Sequence, residues 1–211
     1  MDRSIGGVPP SITAGVLREM LGQPFKAGKE HTLTGVRVDG ALDLSDMAVC
    51  GFDLTGAVFD QPVVARGTRF DGLTWFRRCR FRAGADFSGA LFAHDARFDG
   101  AEFLGEAAFS KAEFRGIGCF DDAEFRDAAF LDHMQVSGSL SADHTRFHGT
   151  VSFENTECMG GLWCAGTRFD GRCNMRGLEV HGRTWLRGAR AGDRSASELA
   201  STISSYGYSW V

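Results

Sequence analysis

Phe81-Arg82-Ala83-Gly84-Ala85-Asp86-Phe87-Ser88-Gly89-Ala90-Leu91-Phe92-Ala93-His94-Asp95-Ala96-Arg97-Phe98 places phenylalanine at steps of six, five and six residues. The alternation extends in both directions. Stepping by eleven from Phe70 lands on Phe81, Phe92, Phe103, Phe114, Phe125, Val136, Phe147, Cys158, Phe169, Val180 and Ala191. A second series, offset by six, lands on Phe76, Phe87, Phe98, Phe109, Phe120, Leu131, Ala142, Phe153, Cys164, Met175 and Leu186. No landing is charged. Upstream the step is a plain five, through Leu44, Val49, Leu54 and Phe59.

Neither a helix, which repeats at three and four, nor an isolated strand, which alternates by two, fits this spacing. A short extended stretch followed by a turn does. Each centre and the residue two before it then point the same way, because strand side chains repeat every two. The second position is small, as at Ala85, Ala90, Ala96, Ala101, Thr145 and Thr167, and Gly tends to follow the centre by two, as at Gly89 and Gly100. One unit cannot bury its apolar pair alone, so the units must coil and stack.

The segments Ala41-Leu42-Asp43-Leu44-Ser45, Phe52-Asp53-Leu54-Thr55-Gly56-Ala57 and Ala85-Asp86-Phe87-Ser88-Gly89-Ala90 resemble the pentapeptide-repeat family. The resemblance spans roughly residues 33 to 191. It implies an all-β solenoid, a right-handed quadrilateral β-helix with four faces per coil. The chain departs from the family pattern by preferring Phe to Leu and by inserting a sixth residue in alternate units from about residue 59, expected as bulged corners. Some 28 units at four per coil predict about seven coils and a rod about 30–35 Å long. Phe columns fill its interior, with rings offset-stacked or edge to face. Tyr is excluded there, since its hydroxyl would lack a partner.

The expected organisation is an N-terminal cap over residues 1–32 with a short helix, the β-helix over 33–191, a C-terminal capping helix over 192–205 and an aromatic tail over 206–211. Pro9-Pro10-Ser11 followed by Ile12, Val16, Leu17, Met20 and Leu21 reads as an N-capped helix ending at Gly22. Ser195-Ala196-Ser197-Glu198 matches a capping box, with Leu199 and Ile203 on one face. Beyond it, Gly207 would break a helix, and the elevenfold register does not run on.

Composition singles out that tail. The 211 residues include 18 Phe but only 2 Tyr, and both, Tyr206 and Tyr208, lie beside Trp210. Two readings are open: the aromatics pack on the end coil or add a strand to its edge, or they form an exposed peptide that a partner captures or an enzyme modifies. Tyr208-Ser209-Trp210 is similar to the aromatic-x-aromatic core of biarylitide-type ribosomal peptide precursors. That resemblance implies a folded leader that docks a haem-thiolate monooxygenase and presents Tyr206, Tyr208 and Trp210 for cross-linking. The alternative implied by the pentapeptide-repeat resemblance is a duplex mimic that binds a type II topoisomerase.

A net charge of −4 argues against direct nucleic-acid or anionic-membrane binding. The first twenty residues hold no secretory apolar core, and the expected location is cytoplasmic. Cys50, Cys79, Cys119, Cys158, Cys164 and Cys173 form no CxxC pair and are expected as free thiols. No catalytic motif, cofactor fingerprint or metal set is expected; His144 and His148 would share a face only in a helix. Charge runs basic, acidic, basic: six arginines in 66–82, eleven acids in 86–132 and seven arginines in 168–194.

Overall fold

The computed structural model describes residues 9–211, so residues 1–8 of the expected N-terminal cap lie outside the described residues. The chain winds into a four-sided solenoid in which every strand-to-strand pairing is parallel. We number the faces in chain order. Face I runs from Ser11–Thr13 through Arg80–Phe81 to Arg190–Ala191, and face II from Leu42–Asp43 to Cys173–Asn174. Face III runs from Ala48–Val49 to Ser204–Ser205, and face IV from His31–Thr32 to Ser209–Trp210. They hold nine, seven, eight and nine strands.

The rod therefore has about nine coils at its fullest faces, not seven. The extra rungs come from the segments expected as caps and tail: residues 1–32 contribute Ser11–Thr13 and His31–Thr32, residues 192–205 contribute Ser204–Ser205, and the tail contributes Ser209–Trp210. At about 4.8 Å per rung the rod is about 40 Å long. Two short helices replace strands of face II. Helix α1 (Ala14–Leu21) buries Leu17 and Leu21 over the first coil. Its N-cap is Thr13, whose hydroxyl accepts from Val16 N at 3.3 Å, not Ser11. Ser11–Thr13 is taken up in pairing with Arg37–Asp39, which delays the helix. Helix α2 (Ala196–Ala200) starts on the Ser195–Glu198 capping box and buries Leu199. Among the described residues no helix is long and apolar enough to cross a membrane.

The core is the Phe register. On face I, Phe59, Phe81, Phe103, Phe125, Phe147 and Phe169 stack in one column with ring centroids 4.6–5.2 Å apart and near-parallel planes. Shorter columns run through Phe70, Phe92 and Phe114 on face III, Phe76, Phe98 and Phe120 on face IV, and Phe87 and Phe109 on face II. Between columns the rings meet edge to face, as in Phe92–Phe98 at 6.1 Å and 88° and Phe147–Phe153 at 6.1 Å and 79°. The small positions two before the centres are buried too. At Thr68, Thr145, Thr156 and Thr167 the hydroxyl donates to a carbonyl of the preceding coil, as in Thr145 to Phe120 O and Thr167 to Ala142 O, both at 2.6 Å.

From Phe59 onward the five-residue steps turn at the corners II to III and IV to I, on a residue with positive φ two after the centre. That geometry suits glycine, and several units use it. Lys111 (φ 61°) and Arg78 (φ 52°) adopt it with a Cβ. Because that conformation costs an ordinary residue about 1 kcal/mol, Lys111→Gly is expected to raise the urea midpoint slightly despite the added chain entropy of glycine. The six-residue steps fall at the other two corners, where the extra residue forms an open bend.

Candidate functional site

All four tryptophans of the chain project outward in one column of face IV. Register places Trp75 over Asp53 and under Arg97, then Cys119, Ser141, Trp163, Trp185 and Trp210 one rung at a time. Trp163 and Trp185 lie 5.9 Å apart between centroids, and Trp185 and Trp210 5.0 Å. Arg183 lies over the Trp210 ring at 5.9 Å, as Arg77 does over Trp75. Parallel stacking converts a sequence spacing of one coil into a surface column.

Residues 206–211 are not a separate peptide in this structure. Ser209–Trp210 forms the last strand of face IV, with Thr184 N donating to Tyr208 O (2.9 Å) and Leu186 N to Trp210 O (2.7 Å). Tyr206 N donates to Val180 O at 2.9 Å. The reading in which the register stops before the tail is thus corrected. Tyr206-Gly207-Tyr208-Ser209-Trp210 repeats His181-Gly182-Arg183-Thr184-Trp185 and Met159-Gly160-Gly161-Leu162-Trp163. The register looks broken only because the α2 segment lengthens this coil by three residues. Gly207 caps a glycine ladder, Gly116, Gly138, Gly160, Gly182 and Gly207, at the III to IV corner. A Cβ on Gly207 would overlap the carbonyl oxygen of Gly182 one coil below. The small turn residue there permits close backbone stacking.

The backbone is held, yet the rings face out. Tyr206 is 66%, Tyr208 78% and Trp210 40% exposed. Tyr208, just before the strand, and Trp210, two residues on, lie with ring centroids 6.1 Å apart. Tyr206 stacks on His181 at 4.9 Å. His181 Nε2 also meets Glu157 Oε1 at 2.9 Å, and with Glu179 these side chains bring one donor atom each within 4.8 Å of one another. That carboxylate and imidazole set could hold a divalent cation, and spacing did not single it out because its members come from successive coils. His144 and His148 are not brought together: His144 sits at a left-handed corner, and His148 lies beyond the intervening face I strand, beside Asp170.

The charge zones differ in kind. Arginines of the first zone are mostly paired with acids of neighbouring rungs, as in Arg80–Glu102, Arg77–Asp99 and Arg82–Asp60. In the last zone Arg168, Arg187 and Arg190 make no ion pair among the described residues.

All six cysteines are free. Burial pushes the Cys119, Cys158 and Cys173 thiols up to about 12, and Cys79 and Cys164 higher still. At pH 8 a thiol of pKa 12 is thiolate to a fraction of only about 10⁻⁴. Iodoacetamide is therefore expected to label these five at least about a hundredfold more slowly in the native than in the urea-unfolded chain, as read by mass spectrometry.

Fold and surface together define a repeat solenoid with an apolar aromatic interior and one aromatic outer face. A family description of pentapeptide repeats matches nine copies over residues 54–102 and 131–179, and the chain belongs to the pentapeptide-repeat family. No curated protein and no solved structure matches the chain in the comparisons made.

Proposed function

We propose that this chain is a non-catalytic cytoplasmic scaffold, in which the rod docks a protein partner and the last rung of face IV presents Tyr208 and Trp210 to it for oxidative cross-linking. The repeat fold is consistent with such a scaffold role. The observation that carries the finer reading is the segregation of aromatics. Phenylalanine fills the rod, while the only two tyrosines, both easily oxidised, lie with Trp210 on an exposed outer edge. Among the described residues the strand Ser209–Trp210, which follows Tyr208, is paired on one side, with Arg183–Trp185. Edge strands of this kind open at low cost compared with the core.

The chemistry suits a haem-thiolate monooxygenase partner. A bond between the Tyr208 and Trp210 rings replaces one hydrogen on each. Two electrons and two protons pass to the partner's oxygen-derived oxidant and leave as water. Docking through the rod raises the effective concentration of the strand at the partner's active site. The other reading, a duplex mimic bound by a type II topoisomerase, requires an anionic surface along the rod, and the unpaired Arg168, Arg187 and Arg190 weigh against it.

The test is co-purification with a haem-thiolate monooxygenase, sought first among the products of the genes that flank this chain's own. The full chain and a chain ending at Ser205 are both expected to retain the enzyme. Loss of all binding on truncation, or no binding by either, contradicts a rod-docked carrier.

A further inference from the structure

Face IV carries a second feature between its tryptophans. Where the column passes through Cys119 and Ser141, the side chains are short, and a shallow open hollow of about 400 Å³ forms, walled by Trp163 at one end and Arg97 at the other. Asp121 and Asp143 line one long edge, on successive rungs. Each uses one oxygen on the coil above: Asp121 Oδ1 accepts from Asp143 N at 3.0 Å, and Asp143 Oδ1 from Ala165 N at 2.6 Å. Among the described residues neither carboxylate makes an ion pair, whereas Arg97 is paired with Asp99 at 2.8 Å. Burial holds the Asp143 carboxyl above its ordinary value, and the Asp121 charge adds to that effect.

An indole wall beside two carboxylates that form no ion pair, one of them reached only at longer range by the charge of Arg97, itself paired with Asp99, is complementary to a cation. The column continues from the hollow through Trp163 and Trp185 to the exposed Trp210 strand, so a body engaging the hollow and the last rung together must lie along face IV. A free small cation would have no use for that extended aromatic surface. We infer that face IV is the docking face for a protein partner, and that the hollow receives an arginine or lysine side chain of that partner, stacked on Trp163 and held by Asp121 and Asp143. This inference rests on the scaffold reading and names the face and the contact chemistry.

The test uses the full ¹⁵N-labelled chain and the probe peptide acetyl-Gly-Arg-Gly-amide, with acetyl-Gly-Glu-Gly-amide as control, and follows the four indole N–H signals. The Trp163 signal is expected to move most with the arginine peptide and not with the glutamate peptide. Asp121→Asn with Asp143→Asn, which keeps an acceptor oxygen at each position, is expected to cut the shift at least about threefold. Ser141→Trp, which fills the hollow by extending the column, is expected to abolish it at Trp163. Retained protection of the Phe120 and Ala142 amides, which donate to Ser141 O and Trp163 O, reports that each variant keeps its coils. An unmoved Trp163 signal, an equal response to the glutamate peptide, or an undiminished shift in the Asn variant overturns the inference. None of these outcomes bears on whether the last rung is oxidised, so failure here is separable from failure of the carrier reading.

Discussion

Phe98→Ala is expected to destabilise the rod by about 3–5 kcal/mol, the range for removing a fully buried aromatic side chain. Phe98 is wholly buried at the middle of its column, stacked on Phe76 at 5.3 Å and on Phe120 at 5.1 Å. It also meets Phe87 at 5.4 Å and Phe109 at 5.3 Å edge to face. The cavity cannot collapse easily, because each neighbouring ring is fixed by the rungs above and below. Phe98→Tyr tests the same core differently. It removes no volume but adds a hydroxyl among phenylalanine rings, and an unpartnered buried hydroxyl costs about 1–3 kcal/mol. Urea midpoints of the two variants against the parent chain check both expectations. A Tyr variant as stable as the parent would contradict the account of why the rod contains no tyrosine.

Gly182→Ala is expected to act on the last coil. A Cβ there would fall on the carbonyl oxygen of Gly160, a backbone atom that cannot swing aside. The corner must open, at a cost near the top of the ~1–3 kcal/mol range for overpacking. Since stability in a stacked array is largely a sum of neighbour terms, the effect should concentrate on the rungs beside the corner. The amides of Thr184 and Leu186, which donate to Tyr208 O and Trp210 O, should lose hydrogen-exchange protection. The Phe103 to Phe125 region should keep its own. Uniform loss across the rod would mean that the coils do not behave as separable neighbours.

The fold was legible because its signal is long. Phenylalanine every eleven residues from Phe70 to Phe125 admits one local geometry, and burial of the Phe and Ala positions follows from a period of two within each strand. The coil count was less legible, because strands at Ser11–Thr13 and Ser204–Ser205 lie in segments whose helical patterns dominate the reading. The candidate site was legible in part. Tyr206, Tyr208 and Trp210 stand out by composition, but their place as a rung was hidden by three extra residues before them. The match of Tyr206-Gly207-Tyr208-Ser209-Trp210 to His181-Gly182-Arg183-Thr184-Trp185 was the available signal. The tryptophan column and the hollow beside Asp121 and Asp143 depend on register between coils, which a pattern read within single units does not display.

The most direct test of the central claim is the mass of the tryptic peptide Ser195–Val211, released after Arg194, from this chain co-expressed with a haem-thiolate monooxygenase that co-purifies with it. The account predicts loss of two hydrogens, with fragmentation confined outside a linked Tyr208–Trp210 segment and no loss in Trp210→Ala. A peptide of unchanged mass, from a chain shown to bind the enzyme, would contradict it.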